Sequence, residues 1–112
     1  MRMWMVDPSY MCQQHLLGEH VELHMFVGTI NRSPLPPATL AGYAKGGLVE
    51  VHNINLRHKV IVNEMLKRGL RHQSPLPDFE KFHLGEVNIN ENYNELSKRC
   101  LDCRNLIESR LE

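Results

Sequence analysis

The sequence predicts an all-α protein, a single compact domain of three main helices. Three observations predict it. Apolar residues recur at three- and four-residue spacing in three long stretches, proline-bearing segments separate those stretches, and no stretch alternates as a half-buried strand would. The chain has 112 residues, enough for one core, so the domain is read as 1–112.

The first helix is placed from about Pro8 to Ile30. Asp7 suits the N-cap, and Pro8 suits the first helical position, where its missing N–H costs nothing. Cys12, Leu16, Leu23, Val27 and Ile30 then fall on one arc. Ser33-Pro34-Leu35-Pro36-Pro37 breaks the helix, a short helical turn is expected at Ala38–Ala44, and Gly46-Gly47 ends that connection. The second helix is placed from about Leu48 to Arg68, with Val51, Ile54, Ile61 and Met65 on its apolar side and Gly69 as the glycine that closes it. Ser74-Pro75-Leu76-Pro77 interrupts the next connection. The third helix is placed from about Asn90 to Ser109, because Ile89, Tyr93, Leu96, Cys100, Cys103 and Ile107 share a face.

Composition narrows the class. Apolar residues at 42% and charged residues at 23% are a globular balance. No apolar run approaches the ~20 residues of a membrane helix, and Asp7-Pro8 interrupts the only candidate leader, so the chain is read as soluble, cytoplasmic and without a membrane partner. Formal net charge is zero, but residues 57–77 hold five Lys/Arg against one Glu. That segment, with His58 and His72, suits phosphates or a solvated helix face equally well.

Three cysteines do not make a disulfide framework. Cys100 and Cys103 form one CxxC, whereas a structural zinc site usually draws four ligands from two pairs. Cys12 and some of the seven histidines would have to complete it, and the alternative is a buried helix stripe. His20 and His24, four apart, share a face as a metal pair would, but Glu22 lies on the other side. The reading adopted is no metal and no cofactor.

No phosphate loop, dinucleotide fingerprint, GxSxG or HExxH is present. What remains is a polar cluster on the first helix. His15, Gly18 and Glu22 stack along one side, and a mid-helix glycine costs ~1 kcal/mol against alanine. A polar face that happens to contain a glycine accounts for this as well as a site does. Met1 is followed by Arg2, too large for methionine removal, so the chain is expected to keep Met1 and present its α-amine. Such amines titrate near 7.7–8.0, well below lysine, and are nucleophiles near neutral pH.

Taken together these residues resemble the pyrimidine-dimer DNA glycosylase family, the phage-type endonuclease V. The resemblance runs from Met1 to roughly Gly69, and more loosely through the third helix. Met1-Arg2 aligns with the family's reactive amine and Arg, Gln14-His15-Leu16 with its Gln-His-Leu, and Glu19 and Glu22-Leu23 with its Glu-x-x-Glu-Leu. Arg57, Glu64 and Leu66-Lys67-Arg68-Gly69 match the end of its second helix. The resemblance implies a three-helix domain with the N-terminal segment between the helices, which gives Gly18 the use of letting the terminus pass close. It implies a glycosylase and AP lyase acting on damaged double-stranded DNA as a monomer, with Met1 and Glu22 catalytic and Arg2, Gln14 and His15 on the DNA. Two departures stand out. Family basic residues of the first helix correspond to Val21 and Met25, and the aromatic C-terminal tail has no counterpart. The alternative is a non-catalytic module that binds nucleic acid or a partner through residues 57–72.

Overall fold

A computed structural model describes residues 1–32 and 38–110, the last without its side chain. The predicted breaker at 33–37 and the last two residues lie outside the described residues. Among the described residues the protein is all-helical. A 3-10 turn at Pro8–Tyr10 precedes α1 (Gln13–Asn31), followed by α2 (Ala38–Lys45), a 3-10 turn at Val51–Asn53, α3 (Ile54–Lys67), α4 (Ile89–Arg99) and α5 (Leu101–Arg110).

All three predicted long helices are subdivided; the second, placed from Leu48, is extended at Glu50, makes a 3-10 turn at Val51–Asn53 and becomes α-helical only at Ile54. The first does not run through from Pro8. Asp7 caps only the 3-10 turn, its Oδ1 accepting from the Ser9 amide at 2.9 Å, and Met11 and Cys12 are extended before α1 begins. The third breaks at Cys100, whose φ of −134° and ψ of 112° separate α4 from α5. Neither Pro nor Gly stands there, so local propensity did not signal the break. The closing glycine of α3 is where the sequence puts it. Gly69 has a φ of 78°, and the Leu70 amide reaches back to the Met65 carbonyl at 2.9 Å.

Apolar spacing selects the core. Leu16, Leu23, Phe26 and Val27 of α1 meet Ile54, Ile61 and Met65 of α3, with Leu96 and Cys103 closing the far side. Into this core run Met3, Trp4 and Val6 of the N-terminal segment, all buried. Ile89, expected on the apolar face of the third helix, is exposed instead. Gly85, at a φ of 89°, lets the chain pass against Val49, whose carbonyl oxygen would lie 2.0 Å from any Cβ there.

Candidate active site

Hydrogen bonds to four residues, Leu48, Asn92, Arg57 and Tyr93, hold the first seven residues. The Met3 amide donates to the Leu48 carbonyl at 2.7 Å. The buried Asn92 of α4 donates from Nδ2 to the Trp4 carbonyl at 2.7 Å and to that of Met3 at 3.3 Å, while its Oδ1 accepts from Arg2 Nη2 at 2.7 Å. Arg57 of α3 donates to the Val6 carbonyl at 2.6 Å. The Asp7 amide donates to the Tyr93 hydroxyl at 2.9 Å. Met5, between these clamps, has a φ of 60°, a left-handed backbone that non-glycine residues rarely adopt.

Arg57 also forms a two-pronged ion pair with Glu19 of α1. Its Nε donates to Oε2, and its Nη2 to Oε1 at 2.9 Å. Glu19 is 1% exposed and Arg57 4%, so the pair is desolvated and both carboxylate oxygens are used. Glu19 is thereby committed to structure. Glu22, one turn on, accepts a long bond from the Arg2 amide, at 3.4 Å. Its carboxylate lies beside the first residues of the chain.

Around this contact is an open cavity of about 500 Å³, lined by Met1, Arg2, Trp4, Gln14, His15, Gly18, Glu19, Glu22, Leu48 and Arg99. It brings together all five residues singled out from the sequence. Its electrostatics are mixed, with Glu22 on the wall and two cations at one end. The Arg2 guanidinium lies 4.1 Å from the centre of the Trp4 ring and that of Arg99 5.8 Å. Burial first, and the like charge of Arg99 second, lower the Arg2 pKa from its usual value.

Gly18 does not serve the use the resemblance gave it. A Cβ there would meet no described residue beyond its own helix turn within 4 Å, so the N-terminal segment does not pass close to it. It opens the cavity instead. His15 is half-buried, and its Nδ1 lies 3.3 Å from Cys12 Sγ, so one ring nitrogen is turned from the DNA contact expected of it. Val21 and Met25, where family basic residues would stand, are 55% and 48% exposed. The basic segment 57–72 does not form one cationic surface: Arg57 is buried, and Arg68 donates to the Pro8 and Met11 carbonyls at 3.1 and 2.7 Å.

Sequence reasoning missed Asn92, Arg99 and Leu48. Asn92 lies three residues from Ile89 and four from Leu96, at the edge of the apolar arc, and one polar residue there did not announce a site. It also missed a histidine group. His20, His24, His58 and His72 pack with ring centres about 5 Å apart, and Nε2 of the first three has no hydrogen-bond partner among the described residues. Burial above all, then the neighbouring His58, His24 and His72, lower the His20 pKa to about 4.

Residues 1–78 match the family model described as pyrimidine dimer DNA glycosylase. No curated protein and no solved structure matches the chain. The matched stretch contains Met1, Glu22 and the Glu19–Arg57 pair, but not Asn92 or Arg99.

Proposed function

The chain belongs to the pyrimidine dimer DNA glycosylase family, and on that premise we propose that it excises damaged pyrimidines and nicks the strand through a Schiff base on the Met1 α-amine. The observation that carries this reading is the Arg2 amide bond at 3.4 Å to Glu22 Oε2, 20 positions away, in an open cavity that Met1 also lines.

The chemistry follows from those two groups. The amine attacks C1′ of the damaged nucleotide and loses a proton, while the C1′–N bond breaks and the base leaves with its electron pair. The sugar C1′–O4′ bond then opens, O4′ takes up a proton, and an imine joins Met1 to C1′. Removal of a C2′ proton expels the 3′ phosphate, and water hydrolyses the imine to return the amine. Glu22 stabilises positive charge on the sugar and moves the protons at O4′ and C2′, a role that contributes ~10²–10⁴-fold. Arg2 holds a flanking phosphate, and Gln14 and His15 border the strand. Base flipping costs least at damaged pairs, which favours lesions.

Asn92 and Arg57 support the reading at one remove: they fix the carbonyls of Met3, Trp4 and Val6, so the amine's position does not depend on a loose terminus. With Val21 and Met25 exposed, nearby cations are Arg2 and Arg99, and Arg32 in an adjoining depression that Met1 also lines.

The test is borohydride trapping on duplexes carrying a photodimer or an abasic site. A covalent adduct with at least one is expected, and none with either refutes the reading. An extra residue before Met1 abolishes trapping, and Glu22→Gln removes turnover while the fold survives. Full lyase activity in the extended protein rules out the amine.

A further inference from the structure

We propose that Cys12, His15, Cys100 and Cys103 form a tetrahedral zinc site that clips the start of α1 to the start of α5. This reverses the reading of no metal. It does not depend on the glycosylase chemistry, and the family match does not imply it, because Cys100 and Cys103 lie beyond residue 78.

The spacing is Cys-x-x-His at the first helix and Cys-x-x-Cys at the last. Each pair alone is weak, but the fold joins them. The three Sγ atoms and one imidazole nitrogen all lie within 4.8 Å of one another. Zn–S bonds of about 2.3 Å and Zn–N bonds of about 2.0–2.1 Å put tetrahedral ligands roughly 3.6–3.8 Å apart. Cys12 and Cys100 Sγ are 3.7 Å apart, and Cys12 Sγ is 3.3 Å from His15 Nδ1. Small side-chain rotations bring the widest pair into range.

The backbone is shaped for the same purpose. Cys12 and Cys100 are both extended residues standing just before a helix. No proline or glycine explains the break at Cys100. Continuing the helix there would satisfy local propensity, so a tertiary interaction must compensate for stopping it. The break puts the CxxC at the start of α5. Amide donors then reach the sulfurs: Cys12 N–H to Cys103 Sγ at 3.1 Å, and Cys103 N–H to Cys100 Sγ at 3.4 Å. Such donors favour thiolate, the form that ligates, while burial pushes the Cys103 thiol up to about 12, a cost that a bound cation offsets.

Binding Zn²⁺ releases the three thiol protons and leaves His15 neutral, giving a site of net charge −1. A Cys12–Cys100 disulfide would use two of the four groups and leave Cys103 and His15 idle. Soft sulfur donors with one imidazole in tetrahedral array select zinc among common divalent ions.

The full chain, purified under reducing conditions without chelator, is expected to carry one zinc per molecule by mass spectrometry. Replacing zinc with cobalt(II) should produce a thiolate-to-cobalt charge-transfer band and strong tetrahedral visible bands, and Cys103→Ser should lose both. Where that variant does not fold, the cobalt spectrum of the unaltered chain decides alone. A reduced chain with neither zinc nor a charge-transfer band overturns the proposal. So does a metal that survives Cys103→Ser and is lost in His24→Ala, which would place it on the histidine group.

Discussion

Replacing Arg57 with Met tests how the active site is braced. The substitution keeps the length of the side chain and removes its charge. It strands the Glu19 carboxylate, 1% exposed, and frees the Val6 carbonyl. Breaking a buried ion pair by deleting one partner costs about 3–5 kcal/mol, because the remaining charge keeps its desolvation penalty. At about 4 °C per kcal/mol for a domain near this size, the melting temperature should fall by about 12–20 °C. The double variant Glu19→Leu/Arg57→Met removes both charges, so it should lose only the cost of the unpaired Val6 carbonyl, about 1–3 kcal/mol. Thermal and urea melts followed by circular dichroism read both numbers. Borohydride trapping at low temperature, where both variants are folded, reads whether the amine has lost its place. A loss below about 1 kcal/mol in Arg57→Met, or a double variant weaker than the single, would refute the reasoning.

The other predictions concern neighbouring parts. Gly18→Ala should stabilise α1 by up to ~1 kcal/mol, since its methyl meets no atom, yet weaken trapping because the methyl enters the cavity; unchanged activity would show that substrate does not use that wall. Asn92→Leu should free Arg2 and two buried carbonyls, costing about 1–3 kcal/mol, and weaken DNA binding more than a change at the exposed Lys59 does, as measured by fluorescence anisotropy. Acid should destabilise the protein through its histidine group. His20 faces His24 of its own helix, His58 of α3 and His72, and it stays neutral in the fold down to about pH 4, while the unfolded chain takes up the proton near 6.5. The stability it contributes is present above that window and is lost as pH falls through it. His20→Gln should flatten the fall between pH 6.5 and 4, and an unaltered slope in chemical denaturation would count against it.

Much of the fold was legible because a helix is a local object. The spacing of Leu16, Leu23, Val27 and Ile30, or of Ile54, Ile61 and Met65, states which face is buried before any partner is known, and each of these residues is buried. Gly69 was legible for the same reason: a helix end needs a left-handed residue at one position. The candidate site was legible in part. Met1, Arg2, Gln14, His15 and Glu22 all line one cavity, and the route to them was the resemblance, since a polar helix face alone did not distinguish a site.

Tertiary structure decided what no local pattern encodes. Glu19 and Glu22 are three residues apart on one helix, and spacing alone gives no reason for one to be locked in a buried ion pair and the other to face the cavity. The difference is that Arg57, 38 positions away, arrives at the first. Asn92 is a polar residue at the edge of an apolar arc, and its partners appear only when the N-terminal segment runs beside it. Cys12 and Cys100 are 88 positions apart, and only the packing of α5 on the turn before α1 makes them neighbours. Periodicity records which side of an element leaves water, whereas the pairing of charged and ligating groups depends on which elements meet.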